Sequence, residues 1–179
     1  QTPAIAVEQA LKELHDMAIL AKENIDRSFA SLINEDMSES KKIADVEYRI
    51  DFLTNKLTSF FIKISSVTKF ADDEKLIGGL HHVTNDIERL GDYAILLVKE
   101  TKYMKENNLK FLDQTKDELN LIYGHISEMF DLGFDAFTNR RTENFRKISN
   151  LHKEIKKGIS STRNEHVVRL NSGMYPVEL

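Results

Sequence analysis

The chain's two prolines stand at its ends, Pro3 and Pro176, so nothing between them carries the residue that deletes a backbone donor and clashes with the preceding helical turn. Across that whole stretch apolar residues recur every three or four positions, the period of one helical face. The pattern predicts five helices. The first, about Ala4 to Leu32, aligns Val7, Leu11, Leu14, Ala18, Ala21, Ile25, Phe29 and Leu32, and a polar loop from Asn34 to Ser40 follows it. The second, about Ser40 to Ser66, aligns Ile43, Val46, Ile50, Leu53, Leu57, Phe61 and Ile64. The third, about Asp72 to Asn107, aligns Leu76, Leu80, Val83, Ile87, Leu90, Ala94 and Leu97. A fourth, about Asp113 to Thr138, shows Leu119, Ile122, Ile126, Phe130, Phe134 and Phe137, and a fifth, about Thr142 to Asn171, shows Phe145, Ile148, Leu151, Ile155, Ile159 and Leu170. Long helices with one apolar face and short connections pack as an antiparallel, all-α bundle.

The helices repeat. One register that lays Phe29 on Phe134 also lays Leu14 on Leu119, Ile25 on Phe130, Leu32 on Phe137, Val46 on Leu151 and Ile50 on Ile155. A register that holds across two helices and their loop reads as an internal duplication. The expected organisation is a three-helix unit over residues 1–108 and a second unit over residues 109–179. In that register a sixth helix would start near residue 176, so the second unit is expected to lack its last helix, leaving an apolar face that favours self-association.

Two carboxylate pairs stand out against this background, Glu47-x-x-x-Asp51 and Glu88-x-x-x-Asp92. Four-residue spacing stacks each pair on one helical face, where like charges repel. Glu47 has Ile43, Ala44 and Ile50 as helical neighbours, Asp51 has Tyr48, Thr54 and Asn55, and Glu88 has Thr84, Asn85 and Gly91; at these facing positions only Asp92 has a base, Arg89, three residues back. On adjacent helices the four acids would surround one point, which suits a hard or borderline divalent or trivalent cation. His81 and Asn85 continue the stripe of Glu88 and Asp92, and Asp86 projects to another side, so these three are weaker candidates. The stripes fall beside the apolar faces rather than inside them. A plainer reading has both pairs as solvated flanks, or Arg89 answering Asp92 and a carboxylate of the second helix.

Other chemistry is poorly served. The chain has no cysteine, which removes thiolate metal sites, disulfides and a cysteine nucleophile and fits a reducing compartment. A net charge of −4, with the densest basic run only Lys153 to Lys157, argues against nucleic-acid binding. No apolar run reaches the length of a membrane span, and the chain starts at Gln1 without a signal-peptide pattern, as a piece cut from a longer protein would. No glutamate is followed three residues later by histidine, the pairing that di-metal carboxylate oxidases use in helical bundles. Gly78-Gly79 has no strand before it and is no phosphate loop. Gly91, near the middle of an apolar face, is read as a point of close helix packing, and of the adjacent His81 and His82 only one can face a given site.

Three stretches carry a family resemblance: Gln1-Thr-Pro-Ala-Ile-Ala-Val-Glu-Gln-Ala10, Asn85-Asp-Ile-Glu-Arg-Leu-Gly-Asp92 and His166-Val-Val-Arg-Leu-Asn-Ser-Gly173. They resemble the PhoU-like domain of bacterial sodium/phosphate cotransporter family proteins, and Val46-Glu-Tyr-Arg-Ile-Asp51 resembles the second-helix signature of PhoU units. The resemblance implies two pseudo-repeated three-helix bundles and a non-enzymatic role in regulating phosphate transport or phosphate signalling. It also implies a metal, iron in several members, on paired carboxylates, here Glu47, Asp51, Glu88 and Asp92; zinc, manganese and nickel are the other candidates. It places the domain on the cytoplasmic side of the cell membrane, partnered by the transmembrane portion of the same protein. The second unit departs from the motif: Glu47 maps to His152 and Asp51 to Lys156, so one metal site at most is expected. The alternatives are a metal-free adaptor or interaction bundle and, less favoured, a di-metal carboxylate enzyme.

Overall fold

The computed structural model describes residues 3–67, 71–139 and 141–171. Among them are five α-helices and no strand: α1 (Pro3–Asn34), α2 (Ser40–Ser65), α3 (Ala71–Glu106), α4 (Asp113–Asn139) and α5 (Asn144–Asn171). The contacts divide the chain into two compact units, Gln1–Asn108 and Leu109–Leu179. Among the described residues the fold is all-α, built of helical bundles.

In the first unit α1, α2 and α3 each pack against the other two. The ends of the helices follow from local chemistry. α1 stops where Glu35 takes a left-handed φ of 55°, with Asp36 N–H donating to the Ser31 carbonyl and Glu35 N–H to that of Leu32, the paired bonds of a Schellman cap. Asp36 then holds the turn through bonds from the Ser38 amide at 2.9 Å and hydroxyl at 2.7 Å, which keep its carboxyl below the ordinary range. α3 starts with Asp72, Asp73 and Glu74 and ends with Lys105, charges that suit the helix dipole at each end. Asn108, with φ 54°, closes that unit.

The core of this bundle is less oily than the apolar pattern suggested. Leu14, Met17, Ala21, Ile43, Ile50, Leu57, Phe61, Ile77, Leu80, Ile87 and Ala94 are buried as a hydrophobic spine. Yet Asn24, Ser28, Glu47, Thr84 and Thr101 are buried among them, while Ile25, Phe29, Val46, Val83 and Leu97 are only half-buried. Leu76 is 48% exposed, and Ile77 takes its place inside. The buried stripes are thus rotated from the expected ones toward small and polar residues, several of which hydrogen-bond within their own helix. Thr84 and Thr101 hydroxyls donate to the carbonyls of Leu80 and Leu97, one turn back, and the Ser28 hydroxyl donates to that of Asn24. The Asn24 side-chain amide donates to the Ile43 carbonyl at 3.0 Å, joining α1 to α2.

The second unit is a hairpin of α4 and α5. Asn144, at the head of α5, is buried and donates to the Leu132 carbonyl and to Asp135 at 2.9 Å, fixing how α5 turns back on α4. No residue of α4 is buried. Ile126 and Phe137 are each 38% exposed, and Phe145 and Ile159, read from the sequence as core, are 60% and 44% exposed; among the described side chains, Ile155 alone of the apolar residues expected on α5 is buried. Two helices have too few facing positions to cover both apolar stripes. The side chain of Leu170 lies outside the described residues.

Candidate metal centre

Glu47 is the pivot of the site. It lies on the inner face of α2, 9% exposed, in line with Ile43 and Ile50, and its carboxyl reaches α3 at Gly91. A β-carbon on Gly91 would lie 2.9 Å from Glu47 Cδ and 3.1 Å from Oε1, and closer still to Oε2. Gly91 therefore does more than let two backbones approach. Its missing side chain is the space in which the acid sits.

Among the described residues no partner answers one oxygen of that acid. Glu47 Oε2 is buried without a hydrogen bond, as is the hydroxyl of Thr54 two turns along α2. A buried polar group left unpaired costs about 1–3 kcal/mol, and more when charged. The structure places the other three expected acids around it. Burial raises the Glu47 pKa most, and the fields of Asp51, Asp92 and Glu88 add to the effect, carrying it from the ordinary 4.5 to about 7. Glu88 is raised as well, by burial and then by Asp92 and Asp51, with Arg89 pulling the other way. Glu47 and Glu88, both pushed toward the protonated form by burial and by neighbouring acids, mark a place where negative charge is crowded.

The weaker candidates divide. Asn85 and His81 contact each other at 3.4 Å along α3, on the stripe that leads to Glu88. Asp86 is exposed and pairs with Arg89 at 3.6 Å. The base that the sequence offered to Asp92 is therefore engaged on the outer face of α3. The expectation that both acidic stripes lie beside the apolar faces needs correction for Glu47, which is inside. Asp51 and Asp92 are exposed and Glu88 half-buried, so the site runs from the core to the surface.

The donor chemistry suits a cation, with oxygen ligands only and one buried acceptor unanswered. Among the described residues, no three His, Asp or Glu side chains already stand at ligating distance from one point; Asp51, Glu88 and Asp92 would have to turn inward toward Glu47. A separate cavity of about 350 Å³ between α1 and α2, walled by Ala10, Leu53, Leu57 and Phe60 with Lys56 and Lys63 at its edge, shares none of these acids.

Among the described residues no helix is long and apolar enough to cross a membrane. No curated protein and no solved structure matches the chain. The family model of the PhoU domain matches residues 14–101, a span that runs from Leu14 in α1 to Thr101 in α3 and holds all four acids. Residues 14–101 are a PhoU-like domain.

Proposed function

We propose that this chain is a non-enzymatic regulatory module of a sodium/phosphate cotransporter-type membrane protein. It acts on the cytoplasmic side of the membrane, partnered by the transporter's transmembrane portion, and modulates phosphate transport or phosphate signalling. The PhoU-like domain supports the phosphate-related, regulatory part of this reading, since PhoU domains regulate and do not catalyse. Within it Glu47, Asp51, Glu88 and Asp92 hold a transition-metal cation, iron first, with zinc, manganese or nickel as the alternatives. His81 and Asn85 stand next in line along α3.

The observation that carries the cation is the buried, unpartnered Oε2 of Glu47 in the notch above Gly91. A bound cation supplies positive charge where four acids repel one another. The chain's own part is to tie α2 to α3: Glu47 is anchored in the core, and the exposed Asp51 and Asp92 and the half-buried Glu88 close over it from both helices. Such a link makes the packing of α2 on α3 depend on metal supply, a two-state element of the kind a regulatory domain needs.

The test is elemental analysis of protein purified without an affinity tag, comparing the parent with Glu47→Ala/Asp51→Ala and Glu88→Ala/Asp92→Ala. Stoichiometric metal in the parent, lost in both variants with helical content unchanged, is the expected result. A parent that stays metal-free after reconstitution overturns the cation and leaves the second reading, an adaptor bundle whose acids face a partner. That reading draws on the absence of a preformed three-ligand cluster among the described residues.

A further inference from the structure

The buried stripes of α2 and α3 break their pattern at one level. On α3 Ile77, Leu80, Thr84, Ile87, Gly91 and Ala94 fall at alternating three- and four-residue steps. On α2 Ile43, Glu47, Ile50, Leu57, Phe61 and Ile64 do the same with one position passed over. These are the narrow stripes by which helices meet. The two residues foreign to such a stripe, a carboxylate and a helical residue without a side chain, stand against each other. Glutamate is among the residues least often buried, and glycine is the poorest helix former after proline. Each is explained by the other.

A glycine in a packed helix commonly lets two backbones come close. At Gly91 the three atoms nearest to an added β-carbon are instead Oε2, Cδ and Oε1 of Glu47, so the carboxyl fills the space. Gly91 also lies inside the acidic motif, with Glu88 three residues before it, on a shared face, and Asp92 directly after it. The Glu47 carboxyl is thereby held against the α3 backbone at the level of those two acids, but deeper: Glu88 is half-buried and Asp92 exposed. A ligand group that is already oriented and stripped of water gives up little freedom when an ion arrives.

On the reading that the four acids hold a cation, which this inference requires, we propose that Gly91 is a positioning residue of that site. It does not touch the ion. Having no β-carbon, it seats the Glu47 carboxyl at the floor of the site, where Asp51, Glu88 and Asp92 close on it. Any larger residue at this position drives the carboxyl out of the notch. Groups that orient a metal ligand without touching the metal change affinity about 10–100-fold, and displacing one carboxylate of four with a methyl group belongs with them.

Equilibrium dialysis of the whole 179-residue chain against Fe(II) without oxygen, and against Zn(II), Mn(II) and Ni(II), with elemental analysis of both compartments, tests this. For each ion that the parent binds, Gly91→Ala is expected to raise the dissociation constant about 10–100-fold. Its helical circular dichroism is expected to stay unchanged, because the atoms in the way end a flexible side chain. Gly79→Ala, which adds the same methyl group to α3 in open space, is expected to leave the constant as it is. Glu47→Asp withdraws the carboxyl by one carbon–carbon bond, about 1.5 Å. It weakens binding by itself, and in its presence Gly91→Ala is expected to weaken binding no further, since the methyl group then meets no carboxyl. A loss that came through helix packing would be the same with either acid.

Parent affinity in Gly91→Ala, equal losses with Glu47 and with Glu47→Asp, or equal losses in Gly91→Ala and Gly79→Ala would each overturn the role of Gly91 while leaving the cation in place. A parent that binds none of these ions overturns the cation reading, and the role of Gly91 with it.

Discussion

The buried acid of α2 gives this bundle a pH dependence of unusual sign. With a pKa of about 7 in the folded chain against 4.5 ordinarily, Glu47 keeps its proton in the native state over a range in which the unfolded chain has released it. Where the native state binds more protons, stability falls as pH rises. The Glu47 contribution is therefore intact below about pH 4.5, declines from there to pH 7, and stays at its low value above. The difference of about 2.5 units corresponds to roughly 3 kcal/mol at full ionisation, an upper bound because the rim of the site is open to water. Glu47→Gln removes the titration while keeping the shape.

In chelator, urea unfolding of the first unit at intervals from pH 4.5 to 8.5 should show the parent losing up to about 3 kcal/mol relative to Glu47→Gln across that range. A buried amide without partners has its own cost of about 1–3 kcal/mol, but that cost is constant with pH and moves the whole curve. Glu88, raised by burial, Asp92 and Asp51, titrates in both proteins and falls out of the difference. Two curves separated by a constant amount at every pH would refute the reasoning, since Glu47 would then be as ionised in the folded chain as in the unfolded one.

Further outcomes follow from the same contacts. Gly91→Ala puts a methyl group where the Glu47 carboxyl sits; because the displaced atoms end a flexible side chain, stability at pH 5 should change by no more than about 1 kcal/mol, helix propensity offsetting the intrusion. The same variant should flatten the pH dependence as Glu47→Gln does, and a large loss with the pH dependence intact would show that backbone, not carboxyl, is crowded. Asn24→Ala, which removes the buried side-chain bond to the Ile43 carbonyl, should cost about 0.5–1.5 kcal/mol in urea unfolding of the first unit. Asn144→Ala, which removes the bonds to Leu132 and Asp135, should cost about 1–2 kcal/mol and raise hydrogen exchange in α4 and α5 while leaving α1 to α3 unchanged. Adding the cation found by elemental analysis should reverse the pH trend of the parent, with stability above pH 7 exceeding that at pH 5, and should do nothing for Glu47→Gln.

Helix positions were legible because the signals that set them are local. The third helix was expected from about Asp72 to Asn107 and runs from Ala71 to Glu106; the acids at its start and the left-handed Asn108 after its end are decided within a turn or two of chain. The inward faces were less legible. Ranking positions by apolarity chose Val46 over Glu47, Leu76 over Ile77 and Val83 over Thr84. At each of these sites the burial depends on what lies across the interface or one turn back, and a single strand of sequence does not display that. Thr84 is admitted because Leu80 takes its hydroxyl, and Glu47 because Gly91 leaves room.

The acid pairs were visible as a spacing, but what distinguishes Glu47 from its three companions was not, and that distinction shapes any function the site has. Four equally exposed carboxylates would bind a cation as a loose surface patch whose helices hardly register the event. Here one of the four is fixed in the interior, between Ile43 and Ile50, and its energy depends on whether α2 stays closed on α3. Neutralising it, by a proton or by a cation, favours the closed packing; leaving it charged favours letting water in along Thr54 and Gly91. The same residues thus couple a chemical condition at the surface to the packing of the bundle. The coupling is bounded by the roughly 3 kcal/mol of the Glu47 shift, which is enough to change the ratio of open to closed by about a hundredfold.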